Sequence, residues 1–281
     1  MNIKITSDST CDLSREQRKR YQIELVPLAV AMDGRDCHDG VDIEPEDIYA
    51  HVAQGGSLPV TAAVNAAGYE AVFARYAGDY DAVIHINISA DFSSCHQNAV
   101  LAAQQFDNVY VVDSRNLSTG HGLVVLRAAE LAEAGIPAGQ IVETLRAMTG
   151  RVDASFILEQ LKYLQKGGRC SAAAVLGANL LKLKPCIEVR DGKMGVGKKY
   201  RGSFAHCLES YITDRLANRD DLDLRRVFVT HSGVEPEILQ LALDTVRRLQ
   251  PFEEVCVTRA GCTVSSHCGP GTIGVLYVHK A

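Results

Sequence analysis

Alternating apolar and polar runs divide the first half of the chain into short strands and helices. Extended apolar runs predict strands at residues 3–6, 23–31, 82–88 and 109–112. Helical spacing predicts helices over residues 44–54, 68–77, 97–105, 122–134 and 136–149. Ser9 or Thr10 is expected to cap a further turn at residues 13–20. This alternation predicts a parallel sheet with helices on both faces.

The second half mixes hairpins with helices. Strands are predicted at residues 156–158, 226–231, 254–260 and 272–279, and helices at 160–165, 172–181, 203–216 and 236–248. Asp191-Gly192 separates two extended runs, and this dipeptide favours a type I′ hairpin turn. Gly167-Gly168 is typical of the C-terminal end of a helix. These signals predict a mixed sheet, with a boundary near residues 151–154.

The composition excludes few classes of protein, but the net charge argues against nucleic acid as a partner. The 281 residues suffice for one large domain or two of ordinary size. Hydrophobic residues make up 47% and charged residues 22%, as in ordinary globular proteins. The net charge of −5 disfavours general nucleic-acid binding, and Lys198, Lys199 and Arg201 form only a short basic cluster.

Cysteine usage and the N-terminal residues point to a cytoplasmic protein. The nine cysteines are odd in number, contain no C-x-x-C pair and match no zinc framework. We expect them to be reduced, buried thiols. The chain starts without the apolar run of a signal peptide, and no stretch approaches the ~20 apolar residues of a membrane span.

The stretch at residues 88–99, ISADFSSCHQNA, joins a predicted strand to a predicted helix through a hydroxyl-rich turn. Backbone N–H groups and serine hydroxyls can converge there, and the helix dipole favours an anion. Loops at residues 7–10, 89–94 and 113–119 all follow predicted parallel strands, whose carboxyl ends bind ligands. Since no general base accompanies the turn at a fixed spacing, we expect anion binding before catalysis.

Two other motifs leave alternatives open. The chain contains neither the nucleophile elbow G-x-S-x-G nor a P-loop, but a hydrolase or acyltransferase that uses Ser93 with a distant histidine stays possible. Residues 265–274, SSHCGPGTIG, place His267 on a loop that can approach a ligand or can be purely structural. His121 and His231 are weaker candidates. Cys37-His38-Asp39 has no companion cluster, so we expect no metal site.

Taken together, these segments resemble the DegV family of bacterial fatty-acid-binding proteins. The resemblance covers residues 4–13, 26–42, 88–99, 112–122, 161–171, 180–193 and 266–274, in the family's order. Its most specific part is the pairing of KYLQKGGR with LKPCIEVRDGK.

The resemblance implies an α/β fold with two domains. Residues 1–152 would form a three-layer α/β/α domain with a parallel sheet and the carboxylate-binding loops. Residues 153–281 would form a second α/β domain with a mixed sheet that completes the acyl pocket. A long-chain fatty acid is then expected as the ligand, without a cofactor and without catalytic residues. Its carboxylate would be held by Thr61, Ser93 and His267, with Ser94 as a further ligand-binding residue.

A partner also follows from the resemblance. Some family members carry a fatty acid to a separate ATP-using subunit of fatty acid kinase, which forms acyl phosphate. Arg169 and Arg201 fall where the family keeps exposed basic residues that are implicated in docking that subunit. A lipid-responsive regulatory module without a kinase partner is the alternative.

The chain departs from the family pattern at two places. Thr61-Ala62-Ala63-Val64 stands where T-S-Q-P is common, and Ser94 and Cys95 replace a glycine and a threonine. Thr61 and Ser93 keep the hydroxyls that the resemblance assigns to the carboxylate. The changes are expected to narrow the mouth of the pocket or to alter which head group fits.

Overall fold

The computed structural model describes residues 1–171 and 183–281. The helices are α1 (Arg15–Arg20), α2 (Pro45–Ala53), α3 (Ala66–Ala77), α4 (Cys95–Ala103), α5 (Ser118–Glu133), α6 (Ala138–Thr149), α7 (Lys162–Gly167), α8 (Phe204–Leu216), α9 (Pro236–Leu249) and α10 (Cys262–Cys268). The strands are β1 (Ile3–Asp8), β2 (Glu24–Val26), β3 (Ala29–Met32), β4 (Arg35–His38), β5 (Val60–Ala62), β6 (Ala82–Asn87), β7 (Val109–Asp113), β8 (Val152–Leu158), β9 (Leu183–Arg190), β10 (Lys193–Arg201), β11 (Arg226–His231), β12 (Glu254–Arg259) and β13 (Thr272–Val278). The helix predicted over residues 172–181 lies outside the described residues.

Four strands of the first half form a parallel sheet in the order β2–β1–β6–β7. Every residue of β6 is buried, as expected where helices cover both faces of a parallel sheet. Helices α3 and α4 pack together against β6, and α5 and α6 form a second pair against the sheet. The predicted parallel sheet and its helical layers are confirmed.

The six strands of the second half form a mixed sheet in the order β10–β9–β8–β13–β11–β12. β11 and β12 pair in parallel, and the other neighbours pair antiparallel. Asp191 and Gly192 join β9 to β10 with φ of 52° and 83°, the left-handed conformations that a type I′ turn requires. The mixed sheet and this hairpin are confirmed.

A small antiparallel sheet, β4–β3–β5, was not predicted. The single extended run expected at residues 23–31 was wrong, because β2 joins the parallel sheet while β3 joins this small one. Asp33 and Gly34 both have positive φ between β3 and β4, so the hairpin signal was present in the sequence. β5 has only three residues, too few for its pattern to indicate a strand.

The first helix is capped by a residue other than those expected. Ser14 accepts a hydrogen bond from the Gln17 amide, and the Gln17 side chain bonds back to the Ser14 amide, which makes a capping box. The prediction that Ser9 or Thr10 caps this helix was wrong, since both lie in a separate turn of 3-10 helix. Ser9 instead bonds to Asp39 in the small-sheet region.

Helix α5 lies between the two large sheets and contacts strands of both. Two glycines allow this close packing. A Cβ on Gly120 would lie 2.2 Å from the Asn116 side chain, and one on Gly122 would lie 2.6 Å from the Cys11 carbonyl oxygen. The largest apolar core therefore contains residues of both halves, such as Ile5 and Leu276. The domain division at residue 152 stays a prediction.

Two further sequence expectations concern thiols and membrane spans. Eight of the nine cysteines are buried and Cys256 is partly exposed, which fits their use as small apolar side chains. Within the described residues, no helix combines the length and the apolar character that crossing a bilayer requires.

Replacing Gly122 by Ala should destabilise the protein by about 1–3 kcal/mol, because the added methyl group meets the Cys11 backbone rather than a flexible side chain. The matched control is Gly139→Ala on α6, where a Cβ meets open space and should stabilise by up to about 1 kcal/mol. Urea unfolding of both variants measures the difference. Equal effects at the two positions would contradict the packing described for α5.

Candidate functional site

A largely apolar cavity lies at the carboxyl end of the parallel sheet. Its apolar wall includes Leu28, Ile88, Phe92, Leu117, Met194 and Val264. Ile88 follows β6 directly and Leu117 lies in the loop after β7, so two of the three loops predicted to share a site do meet here. The third loop, at residues 7–10, is not among the described residues that line the cavity, and Ser9 bonds instead to Asp39.

Thr61 and His267 meet at this cavity from opposite ends of the sequence. Thr61 lies on β5 and His267 on the last turn of α10, and both line the cavity. The Thr61 Oγ1 atom is 2.8 Å from His267 Nε2. The prediction that His267 lies on a loop was wrong, because residues 262–268 are helical and the turn begins only at Gly269.

His267 is an uncharged imidazole at neutral pH. Burial and the adjacent Arg169 cation lower the pKa of His267 to about 4, although the Gly167 backbone opposes the shift. Nδ1 faces Gly167, where an added Cβ would lie 2.4 Å from it. The ring is therefore a neutral hydrogen-bonding partner for Thr61 and a weak base.

Ser93 lines the same cavity on the loop between β6 and α4. Its hydroxyl donates to Cys95 Sγ at 3.1 Å and accepts from the Cys95 amide at 3.3 Å. Burial raises the pKa of Cys95 to about 11, so Cys95 is an uncharged thiol that orients Ser93. The replacement of the family's threonine by Cys95 thus keeps a hydrogen-bonding partner beside Ser93.

The other residues assigned by resemblance lie in different surroundings. Arg169 lines the cavity and donates from Nη1 to the Gly167 carbonyl oxygen at 3.0 Å. Ser94 is exposed, caps α4 without a side-chain hydrogen bond, and is not among the described residues that line the cavity. Arg201 is exposed at the end of β10, outside that lining. The roles of all three stay predictions.

Sequence reasoning missed Thr263, a third hydroxyl in the cavity wall. It lies one helical turn before His267 on the same face of α10. Thr263 is 5% exposed, and its Oγ1 has no hydrogen-bond partner within the part of the chain that the structure describes. The i, i+4 spacing of Thr263 and His267 is present in CTVSSHC, but the glycines and the proline that follow favour a loop there and conceal the helix.

A second apolar cavity adjoins the first. Both cavities share Leu117, Val264 and Cys268, and the second is extended by Phe156 and Leu276. The hydroxyl of Thr230, also in its wall, bonds to Thr119 at 2.6 Å and to Thr258 at 3.0 Å. Since that hydroxyl is satisfied inside the protein, the second cavity presents a mainly apolar surface.

The Ser93 loop is anchored by a buried carboxylate. Asp8 accepts the Ile88 amide at 3.0 Å and the Tyr69 hydroxyl at 2.6 Å, and Asn87 bonds to both of its oxygens. Burial alone would raise the pKa of Asp8, but the hydrogen bond and charge of His85 outweigh it and lower that pKa. Asp8 is thus an ionised anchor at the start of the loop.

The beginning of α10 is anchored by two more carboxylates. Asp39 accepts the Cys262 and Thr263 amides at 2.6 and 3.1 Å, and Asp12 accepts the Gly261 amide at 2.8 Å. Burial raises the pKa of Asp12 to about 8, and the Asp39 charge adds to the rise. Within residues 1–171 and 183–281, no group of three or more His, Cys, Asp or Glu side chains is arranged to hold a metal ion.

The chain is similar in sequence to known proteins over nearly its whole length. The sequence model of the family described as "Uncharacterised protein, DegV family" matches residues 2–280. A "Fatty acid-binding protein" of Thermotoga maritima is 30% identical over 282 residues, covering 98% of this chain and 96% of that protein.

Solved structures of other proteins are also similar to this chain over nearly its whole length. A fatty-acid-binding DegV family protein from Thermus thermophilus has a TM-score of 0.89 at 30% identity, covering 99% of this chain and 100% of that one. A stearic acid-binding protein from Eubacterium ventriosum has a TM-score of 0.83 at 27% identity, covering 99% and 98%. The predicted fold class is confirmed.

Asp12→Asn should remove from the pH dependence of stability a contribution that falls with rising pH between about pH 4 and pH 8. Because the pKa of Asp12 rises to about 8 in the folded protein, from about 3.9 when unfolded, the folded state binds more protons in this window. The contribution of Asp12 to stability therefore falls as pH rises and levels off above pH 8. Urea unfolding at several pH values measures the slope.

The exposed carboxylate Asp107 supplies the control. Asp107→Asn should leave the wild-type slope unchanged. A slope that is equally steep in Asp12→Asn would show that Asp12 does not hold this proton.

Proposed function

The chain belongs to the DegV family, and on that premise we propose that it binds a long-chain fatty acid without transforming it. The observation that carries the proposal is the convergence of Thr61, Ser93 and His267 at the polar end of an apolar cavity. The solved relatives that bind fatty acids share this fold over nearly their whole length.

The polar end suits a carboxylate. When His267 carries its proton on Nε2 it donates to Thr61, and the Thr61 hydroxyl is then free to donate to a ligand. Ser93 and Arg169 add a hydroxyl and a guanidinium to the same cavity. The Ser93 hydroxyl would exchange its bond to Cys95 Sγ for one to the carboxylate. Hydrogen bonds to a charged group contribute about 1.5–3 kcal/mol each, so these three donors would fix the direction of the head group.

The apolar walls suit an acyl chain. From the polar end, the chain would pass Leu117, Val264 and Cys268, which both cavities share, toward Phe156 and Leu276. Each buried methylene contributes about 0.8 kcal/mol, so a long chain contributes on the order of 10 kcal/mol before the costs of binding. Affinity of that size requires no chemical step.

The geometry disfavours the alternative of a hydrolase or acyltransferase. Such an enzyme needs a base within hydrogen-bonding reach of the Ser93 hydroxyl. Within the described residues, that hydroxyl bonds to Cys95, while His267 Nε2 bonds to Thr61. A pKa of about 4 also makes His267 a poor proton acceptor at neutral pH.

We extend the proposal to delivery of the fatty acid, in the cytoplasm, to the ATP-using subunit of a fatty acid kinase. This step rests on the family resemblance, with Arg169 and Arg201 as the docking residues. Both side chains are exposed, so a partner protein can reach them. A lipid-responsive regulatory protein would use the same cavity but need no kinase.

Ser93→Ala should weaken fatty-acid binding about tenfold or more, since one charge-assisted hydrogen bond is lost. Stearate titration, together with mass spectrometry of lipid retained through purification, measures the loss. Ser94→Ala is the adjacent comparison: the resemblance groups the two serines, whereas only Ser93 lines the described cavity. Equal losses in both variants would contradict the geometric distinction, and no loss in either would contradict the proposed head-group site.

The two arginines should separate ligand binding from docking. Arg201→Ala should leave stearate binding unchanged, because Arg201 lies outside the described cavity wall, and should reduce acyl phosphate formation with the kinase subunit. Arg169→Ala should reduce both, because Arg169 lines the cavity. Acyl phosphate is measured with a purified kinase subunit from the same organism. Full acyl phosphate formation by both variants would contradict the docking role.

A further inference from the structure

Asp39 connects the two elements that bring Thr61 and His267 together. It directly follows β4 of the small sheet, whose β5 carries Thr61, and its amide bonds to the Leu28 carbonyl oxygen at 2.9 Å. Its carboxylate accepts two amides from the beginning of α10, the helix that ends with His267. One side chain therefore spans from the Thr61 sheet to the His267 helix.

Three consecutive backbone amides at the beginning of α10 donate hydrogen bonds to aspartate side chains. Asp39 accepts those of Cys262 and Thr263, and Asp12 accepts that of Gly261. Asp39 is 4% exposed and Asp12 is 6% exposed, so water competes little for these bonds. Both carboxylates also accept hydroxyls, from Ser9 at 3.1 Å and Ser118 at 2.6 Å respectively.

We propose that Asp39, supported by Asp12, is a positioning residue for the fatty-acid carboxylate. Neither aspartate is among the described residues lining the cavity. They act through α10, because a shift or rotation of this short helix would break the 2.8 Å contact between Thr61 and His267. The inference rests on the proposed fatty-acid function and assigns to it residues that do not touch the ligand.

The Asp39→Asn substitution keeps the shape of the side chain. It replaces one acceptor oxygen by an amide group that donates, and this group would face backbone N–H groups that also donate. Stearate affinity should fall roughly tenfold. The same variant in a His267→Ala background should cause no further loss, because the two changes remove one interaction. In a Ser93→Ala background the losses should multiply, since the Ser93 loop is anchored separately by Asp8. Independent, multiplying losses for Asp39 and His267 would overturn the proposal.

A ligand-free measurement tests the positioning directly. The nitrogen resonances of the His267 ring should change in Asp39→Asn as they change in Thr61→Val, because both lose the same hydrogen bond. An unchanged ring signal in Asp39→Asn would overturn the inference. Wild-type protein that fails to bind stearate while this signal responds would instead contradict the proposed function.

Ser9→Ala provides a milder variant if Asp39→Asn does not fold. It removes one hydrogen bond from Asp39 and leaves the carboxylate in place. A smaller loss of stearate affinity, absent in the His267→Ala background, supports the positioning role. Wild-type affinity in Ser9→Ala together with an unchanged His267 signal counts against it.

Discussion

The close packing of α5 between the two large sheets is the constraint on which the rest of the structure depends. The helix is buried along its first turns, and its glycines leave room for the Cys11 backbone and for Ala154 on β8. A helix buried on all sides must also satisfy its polar groups internally. The Thr119 hydroxyl bonds to Thr230 of the mixed sheet, and His121 Nε2 bonds to the Ile86 carbonyl oxygen of the parallel sheet. These bonds fix the spacing of the sheets and the rotation of the helix.

Buried carboxylates position both halves of the proposed ligand site. Asp8 holds the backbone at Ile88 and so places the Ser93 loop, while Asp39 holds the backbone at Cys262 and so places His267. A carboxylate is costly to bury, but backbone amides at a loop or helix start offset much of that cost. The result is a site whose ligand-facing groups are neutral apart from Arg169. That arrangement suits an anion with a long apolar tail.

Much of the fold could be predicted because the decisive signals are local. Strand β6 is mostly apolar, Asp191-Gly192 adopts the positive φ values that its residue types favour, and Gly168 ends α7 with φ of 69°. Each signal follows from backbone sterics or from burial periodicity. The small sheet escaped prediction because β5 is three residues long, and its pairing partner is about thirty residues away along the chain.

The sequence by itself determined the strands of the two large sheets, most of the helices, the family and the hydroxyl-rich turn around Ser93. Only the tertiary structure decided that Thr61 and His267 bond to each other, and that Asp39 holds the helix that carries His267. The reason is physical: side-chain types and short-range patterns are written in consecutive residues. Contacts across 206 positions depend on how α5 and the sheets pack, because packing alone fixes the distances between such remote segments.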